Sequence, residues 1–241
     1  RIGDTINLVA GEMGGYSLYT MPDGGAEQDA DEWWEAMCFS TKNLFKKTDV
    51  APSAIAGISF CSQMQSLVLA DKDGNAVRRP MSYMDQRARQ ELKDNMAYGV
   101  QIAGANVKKL LTSLKITGAV SASVKDPVYK YIWVKDHEPE NFAKVYKWLD
   151  VKEYLIARCT GNFVMTQDSA FATLLYDTHK NTWSKTMCDM FGVDMSHMAK
   201  IIKCTDEAGQ LSDIAATQLG LMPGTRVFGG GGDASLIGVG A

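Results

Sequence analysis

Scarce residue types set the first limits on what this chain does. It has three histidines and five cysteines in 241 residues, and no two cysteines form a C-x-x-C pair. A disulfide framework and a zinc site are therefore disfavoured, and reduced cysteines in a cytoplasmic protein are the expected state. No apolar run approaches the roughly 20 residues of a membrane-spanning helix, so we expect no membrane partner.

An excess of positive charge is also missing. The net charge is −3, and the short basic pairs Arg78-Arg79 and Lys108-Lys109 are isolated. Nucleic-acid-binding domains concentrate Lys and Arg on one face, so we expect no nucleic-acid partner. The length and a hydrophobic content of 46% suffice for a packed core in one or two domains.

Several catalytic motifs are absent. The chain has no G-x-S-x-G and no H-E-x-x-H, which disfavours the hydrolases that use them. The glycine run 229–232 neither matches G-x-G-x-x-G with a downstream acid nor ends in G-K-[ST]. A nucleotide-binding oxidoreductase is therefore disfavoured, and a phosphate cradle made by this loop alone is only weakly indicated.

What is present is an alternation of apolar runs and helical patterns. The runs predict strands at 2–10, 16–20, 55–60, 66–70, 144–149, 163–165, 173–176 and 226–228. The run 55–60 is nearly continuous, as in a buried strand. Capping residues predict helices after Asp29 or Asp31, at Pro127, and after Asp150, Ser184 and Ser212. Residues 86–114 read as mostly helical, broken at Gly99 and Gly104. The pattern predicts an α/β fold with a mixed β-sheet flanked by helices.

The most informative stretch runs from Arg226 through four consecutive glycines to Asp233. Glycine in such a run costs conformational entropy, so bare backbone must be needed there. A carboxylate held at the start of a helix could act as a general base. It could equally serve only as the helix cap, because aspartate is favoured at that position.

A second candidate site follows the run 55–60. Gln63, Met64 and Gln65 stand at a strand end, where α/β proteins tend to bind ligands. Two amides beside a thioether suit neutral hydroxyl groups, although a polar strand end can also be satisfied by backbone alone. Asp85 and Arg87 could form a site or a structural ion pair.

These stretches together resemble one family, the FGGY carbohydrate kinases, and within it the xylulokinase-like branch. The resemblance spans nearly the whole chain, with its motifs in order. It is carried by GISFCSQMQSLVLADKDGNAVRRPMSYMDQRA (57–88), AEQDADEWWEAM (26–37), Pro127-x-x-Lys130-Tyr-x-Trp133, DVKEYL (150–155), TGNF (160–163), Trp183-Ser184 and FGGGGDASLIGVGA (228–241).

The resemblance implies a ribonuclease H-like, actin-like ATPase domain that phosphorylates a sugar or polyol hydroxyl with ATP and Mg²⁺. It assigns the general base to Asp233. It also assigns contacts with the substrate and with the cofactor, and it assigns no residue to a metal. The substrate contacts are Gln63, Met64, Gln65, Tyr83, Asp85 and Ala234, and the cofactor contacts are Gly230, Gly231 and Gly232.

Three substrate-facing positions depart from the xylulokinase pattern. Gln65 replaces a histidine, Tyr83 a tryptophan, and Ala234 an asparagine. Such changes can redirect specificity, because a hydrogen-bonding site rejects ligands that lack the matching hydroxyl. Phosphoryl transfer to xylulose, another ketose or a polyol follows from the resemblance. A catalytically idle homologue that binds sugar as a sensor is the alternative.

The resemblance also carries an expectation about domains. The family opens with a strand bearing D-x-G-T, whose hairpin touches the nucleotide phosphates, and its second domain holds most of the ATP site. Neither is visible in this sequence, so residues 1–241 are expected to be the N-terminal, sugar-binding domain and to be inactive alone. A cytoplasmic location and a possible homodimer complete the expectations.

Overall fold

The computed structural model describes residues 6–240. Its strands are short. They are β1 Tyr19–Thr20, β2 Ala26–Glu27, β3 Gly57–Ile58, β4 Cys61–Ser62, β5 Val68–Ala70, β6 Gln101–Ile102, β7 Ala105–Asn106, β8 Lys147–Leu149, β9 Val164–Thr166, β10 Tyr176–Asp177, β11 Thr182–Trp183, β12 Lys200–Ile202, β13 Glu207–Gln210, β14 Arg226–Phe228 and β15 Gly231–Gly232.

Helices separate most of these strands. They are α1 Ala30–Lys46, α2 Arg89–Met96, α3 Val107–Thr117, α4 Pro127–His137, α5 Pro139–Phe142, α6 Val151–Thr160, α7 Gln167–Ala172, α8 Lys185–Phe191, α9 Asp213–Leu219 and α10 Asp233–Gly240. Single 3₁₀ turns occur at Pro52–Ala54 and Met195–His197. No helix in the described part of the chain is long and apolar enough to cross a bilayer.

Helix ends follow the local signals in the sequence. The Asp29 side chain caps α1 by accepting a hydrogen bond from the backbone N–H of Asp31, and Ser184 caps α8 through the N–H of Met187. Gly161 and Gly192 adopt the left-handed conformation that ends α6 and α8. The predicted starts and stops are confirmed at these positions because capping depends on neighbouring residues alone.

Parallel and antiparallel pairings coexist. The strand β14 pairs parallel with β3 and antiparallel with β13, and β15 pairs parallel with β4. Farther along the chain, β12 pairs parallel with β9, while β5 and β8 pair antiparallel. The predicted mixed α/β architecture is confirmed.

Two apolar clusters hold the elements together. The larger surrounds α4 and β8, where the Tyr131 ring stacks on Trp148 with centroids 5.0 Å apart. The second lies among α1, α6, α9 and β14 and contains Trp34, Leu219 and Val227. The pairing of β14 with β3 therefore rests on a packed layer of helices, which fixes where the following glycine turn emerges.

Three strand and helix predictions were wrong in whole or in part. Of the predicted strands 2–10 and 16–20, residues 6–10 and 16–18 form no strand, whereas Tyr19–Thr20 form β1. Ile6 and Leu8 are about nine-tenths exposed, at 89% and 90%; residues 2–5 of the predicted strand lie outside the described residues. Residues 55–60 are exposed or half-buried rather than buried. Within 86–114, a hairpin of β6 and β7 replaces helix, because Ala103 and Gly104 take positive φ angles of 51° and 79°, as a two-residue hairpin turn requires.

Candidate active site

A cavity of about 370 Å³ contains most of the residues that the sequence singled out. One wall of the cavity, here called the amide wall, consists of Gln63, Met64, Gln65 and Tyr83. The other, here called the aspartate wall, consists of Phe171, Ala172, Asp233 and Ala234. Asp233 is the only charged side chain among the eight.

The pairing of β4 with β15 brings the two walls together. These parallel strands align Cys61 with Gly231 and Ser62 with Gly232. Gln63 therefore leaves β4 at the same sheet edge where Asp233 leaves β15, the edge at which α/β sheets place their ligands. Met64 packs on the turn so closely that a Cβ at Gly232 would overlap its sulfur.

Buried hydrogen bonds fix the amide wall. The Gln63 side-chain amide donates to Gln28 Oε1 at 2.6 Å and to Ser66 Oγ at 3.3 Å. Gln65 takes a positive φ of 64°. Its carbonyl oxygen accepts a hydrogen bond of 2.8 Å from Lys130 Nζ, which also donates to the carbonyl of Ser82 at 2.8 Å. One lysine thus connects the loop of Gln65 to the loop that carries Tyr83.

Lys130 makes these bonds from inside the protein. Its side chain is fully buried in α4, and desolvation by burial lowers its pKa to about 8, against the attraction of Asp85, Asp150 and Asp126. The motif Pro127-x-x-Lys130 thereby acquires a structural explanation: it starts the helix and delivers a cation to two loop carbonyls. Sequence reasoning noted the motif without this role.

The glycines assigned to cofactor binding are satisfied within the chain. The N–H of Gly230 donates to Cys204 O and that of Gly231 to Phe60 O, each at 2.9 Å, while the N–H of Gly232 donates to Asp168. All three residues are buried. Because their donors are already used, these amides do not cradle a phosphate in this arrangement, and their assignment to cofactor binding stays a prediction without support from these contacts. The glycines are needed for packing instead: Gly230 has a φ of +68°, and a Cβ there would overlap Phe60 O.

The position of Asp85 likewise gives no support to its assignment as a substrate contact. Its side chain has no exposed surface and does not line the cavity. It pairs with Arg87 Nη2 at 2.8 Å and accepts a hydrogen bond from the N–H of Ala26 at 2.9 Å. The structural ion pair, which the sequence left open for Asp85 and Arg87, is the arrangement observed.

A buried polar cluster under the glycine turn was missed from the sequence. The Asp168 carboxylate accepts from the N–H of Gly232 at 2.6 Å and lies 3.5 Å from Lys152 Nζ. Lys152 is fully buried and also pairs with Glu153 at 2.6 Å. Phe171 and Ala172, three and four residues after Asp168, reach the cavity from α7. The start of a helix at Gln167 was the only local signal for this cluster, because its contacts join residues that are distant in sequence.

Two cavities among the described residues show no fit to ATP or Mg²⁺. No lysine or arginine lines the cavity, and residues 6–240 contain no cluster of three or more His, Cys, Asp or Glu side chains suited to a metal ion. A larger cavity of about 590 Å³ lies between residues 13–17 and α1. There the acidic Glu32 is already bonded to Ser17 N and Tyr19 Oη, and no cation is present to receive a phosphate.

Comparison with known proteins decides the family. The N-terminal domain of the FGGY family of carbohydrate kinases matches residues 4–240. This chain belongs to the FGGY family. Among curated FGGY relatives, the xylulose kinase of Staphylococcus xylosus is 27% identical over 218 residues, covering 90% of this chain and 42% of the relative. The xylulose kinase of Bacillus subtilis strain 168 is 27% identical, covering 94% of this chain and 43% of the relative.

Solved FGGY structures share the fold. A ligand-bound xylulose kinase from Lactobacillus acidophilus superimposes with a TM-score of 0.80 at 26% identity, covering 94% of this chain and 44% of the other. A gluconate kinase from the same organism gives 0.79 at 27% identity, covering 94% and 44%. The chain spans less than half the length of these relatives, and its fold is the actin-like ATPase fold of FGGY sugar kinases.

Proposed function

We propose that this chain is the N-terminal, sugar-binding domain of an ATP-dependent carbohydrate kinase. The whole kinase transfers a phosphoryl group to a hydroxyl of xylulose or a related ketose or polyol, and Asp233 is the general base. One observation carries the proposal: Asp233, the only charged side chain lining the cavity, shares that cavity with the amides of Gln63 and Gln65.

The arrangement suits the demands of phosphoryl transfer on its acceptor. Such reactions depend mainly on positioning and charge neutralisation, with little covalent work for the protein. Asp233 accepts the proton of the attacking hydroxyl on a carboxylate oxygen, and Gln63 and Gln65 orient the neighbouring hydroxyls. The cavity of Asp233 has no cationic lining, so we expect the nucleotide and Mg²⁺ to be bound mainly elsewhere in the whole kinase. We expect residues 1–241 to be inactive when assayed alone.

The cavity indicates the class of acceptor. Its lining combines amides with Met64, Tyr83, Phe171 and two alanines, and it holds no cationic side chain. A neutral polyhydroxy compound matches such a surface, whereas an acidic sugar would face the Asp233 carboxylate without a counter-charge. The similar proteins include kinases of a neutral sugar, xylulose, and of a sugar acid, gluconate, so similarity alone leaves both classes of acceptor open. The charge of the cavity favours the neutral class.

A panel of acceptors tests the proposal. The whole protein, supplied with ATP and Mg²⁺, is assayed against neutral ketoses, polyols and sugar acids, and binding of each is measured by calorimetry. We expect turnover with a neutral ketose or polyol and none with the acids. Binding without any turnover would establish the sensor alternative instead.

Substitution of the base gives the second test. In the whole protein, Asp233→Asn should lower kcat by at least about a thousandfold, the upper part of the range for a general base together with its charge, while sugar binding persists. The matched control is Asp213→Asn, because Asp213 is the first residue of α9 but lies outside the cavity. Near-normal turnover in Asp233→Asn would remove the base assignment. The cytoplasmic location and the homodimer stay predictions.

A further inference from the structure

The strongest unexplained feature is the carboxylate under the glycine turn. Asp168 accepts hydrogen bonds from the backbone N–H groups of Gly232 at 2.6 Å and Ser169 at 2.9 Å. It also accepts from Thr166 Oγ1 at 2.5 Å and from Cys204 Sγ at 3.4 Å. Donors from four separate positions of the chain therefore converge on one side chain that touches no substrate position itself.

We propose that Asp168 is a positioning residue, which holds the general base Asp233 at a fixed distance from the α7 side of the sugar cavity. The inference rests on the proposed function and deepens it. Asp168 belongs to the first turn of α7, whose later residues Phe171 and Ala172 line the cavity. Its bond to Gly232 reaches the residue immediately before Asp233, so a single carboxylate joins both parts of the aspartate wall.

Geometry separates this role from that of an ordinary core ion pair. The nearest cation is Lys152, whose Nζ is 3.5 Å from Asp168 but only 2.6 Å from Glu153. Lys152 therefore has a closer carboxylate partner. The shortest backbone contact of Asp168 is instead the N–H of Gly232, 64 residues away in sequence. A charged acceptor makes such a bond stronger than a neutral one does.

The other backbone hydrogen bonds that fix the turn lie before Gly232, where the N–H groups of Gly230 and Gly231 donate to Cys204 O and Phe60 O. Glycines carry no side chains, and β15 comprises only Gly231 and Gly232. Asp233 itself is exposed, and its carboxylate contacts the N–H of the adjacent Ala234 at 2.8 Å. The base is thus held through the backbone that precedes it. A displacement near 1 Å at a catalytic group can cost about a hundredfold in rate.

The surroundings of Asp168 keep its carboxylate ionised. Lys152 and the hydrogen bonds from Gly232, Thr166 and Cys204 outweigh partial burial and hold the pKa of the Asp168 carboxyl well below its usual range. The acceptor for Gly232 is consequently ionised at neutral pH.

The test compares three variants of the whole protein with its unaltered form. Asp168→Ala removes the acceptor, and Asp168→Asn keeps an oxygen for the N–H of Gly232 but loses the charge. Asp126→Ala is the control: Asp126 is another buried carboxylate, bonded to Ser121 and to the N–H of Ser123, and it does not line the cavity. The readouts are kcat, sugar affinity, thermal midpoint and hydrogen exchange of the peptide that contains Gly232.

In Asp168→Ala we expect kcat to fall about a hundredfold, with sugar affinity changed less than about threefold and faster exchange at Gly232. Asp168→Asn should lose about tenfold in kcat, the intermediate effect of a neutral acceptor. Asp126→Ala should lower the thermal midpoint without changing kcat. The Asn variant keeps the comparison available if the Ala variant does not fold.

A kcat within threefold of the unaltered protein in both Asp168 variants would overturn the inference, as would a loss no larger than that of Asp126→Ala. Failure of the proposed function is distinguishable, because it appears as absent sugar phosphorylation by the unaltered protein. Hydrogen exchange at Gly232 can be measured without turnover. Unchanged exchange in Asp168→Ala would therefore contradict the proposed role of Asp168 even if the protein did not phosphorylate sugars.

Discussion

The two walls of the cavity are fixed by groups of opposite charge, a buried cation and a half-buried anion. The amide wall depends on Lys130, whose Nζ donates to the carbonyls of Gln65 and Ser82. The aspartate wall depends on Asp168, whose carboxylate accepts from Gly232 and from the start of α7. A cation suits loops that present carbonyls, and an anion suits a turn that presents N–H groups.

The difference lies in how each charge is compensated. Lys130 is fully buried and its direct hydrogen bonds go to neutral carbonyls, so burial lowers its pKa to about 8. Asp168 collects several donors and stays ionised. The comparison indicates that the amide wall responds to alkaline pH through Lys130, whereas Asp168 stays ionised and gives the aspartate wall no such response. We therefore expect damage to the amide wall to weaken sugar binding, and damage to the aspartate wall to slow turnover.

The largest effect should come from breaking the turn of the aspartate wall. Gly230→Ala would place a Cβ against Phe60, 2.7 Å from its backbone nitrogen, at a φ of +68°. We expect a loss of about 4 kcal/mol or more in unfolding free energy, the range of severe backbone and packing clashes. Soluble yield and the denaturation midpoint of the whole protein measure it.

Gly238→Ala is the matched control for this prediction. It lies within α10, and nothing is within 4 Å of the added Cβ. Alanine is favoured over glycine inside a helix by about 1 kcal/mol, so this variant should be neutral or slightly more stable. Equal stability of the two variants would show that the turn tolerates a side chain.

The next largest effect tests the amide wall. Lys130→Met keeps most of the apolar stem but leaves the carbonyls of Gln65 and Ser82 without their donor, which should cost about 3 kcal/mol of stability. We expect sugar affinity to fall about tenfold, the equivalent of roughly 1.4 kcal/mol, while kcat at saturating sugar stays within about threefold. Calorimetry and steady-state kinetics on the whole protein separate the two.

Lys109→Met provides the control. Lys109 is also buried and its Nζ donates to a carbonyl, that of Met190, at 3.1 Å. It does not line the cavity, so the variant should be destabilised without any change in sugar affinity. If both lysine variants weakened sugar binding equally, the link between Lys130 and the amide wall would be lost.

A smaller effect should follow from trimming the aspartate wall. Phe171 is 42% exposed and lines the cavity. Phe171→Ala removes apolar contact worth about 1 kcal/mol, so sugar affinity should fall about fivefold and larger acceptors should gain turnover. Phe39→Ala is the control, since Phe39 is 56% exposed on α1 and lines a different cavity. An unchanged acceptor profile in Phe171→Ala would exclude Phe171 from specificity.

Near pH 7, where Lys130 is still mostly protonated in both states, the smallest effect is the pH dependence of the Lys130 contribution. Folded Lys130 loses its proton near pH 8, whereas the unfolded chain keeps it up to about pH 10.4. Between these values the unfolded state binds more protons, so the unfolding free energy rises with pH, by at most about 1.4 kcal/mol per unit. Asp168 titrates in a different window, with the same sign. Folding lowers its pKa too, so its stabilising contribution is complete above about pH 3.9 and disappears only as the pH falls below that.

Denaturation midpoints of the unaltered protein and Lys130→Met, compared at intervals from pH 7 to about pH 10.4, check this prediction. The difference between the two proteins should widen above pH 8 in favour of the unaltered one. Parallel curves would mean that Lys130 titrates at its ordinary pKa and that the two walls do not differ in this respect.

Local features were read from the sequence successfully. The cap at Asp29, the stops at Gly161 and Gly192, and the helix that begins at Asp233 depend on adjacent residues only. Strand predictions were less accurate: residues 6–10 have the composition of a strand but do not form one. Pairing is a property of two segments, and a single apolar run does not specify the second one.

The sequence by itself determined which residue types the site contains, among them Asp233, Gln63 and Gln65. It also determined the resemblance to the FGGY family. Tertiary structure alone decided which residues meet. It buried Asp85 in an ion pair, used the glycine N–H groups within the chain, and brought Asp168 to Gly232 across 64 positions. The physical reason is that a carboxylate has the same chemistry everywhere in the sequence. Only folding assigns its donors and its exposure, and these decide whether it positions a base, acts as one, or closes a salt bridge.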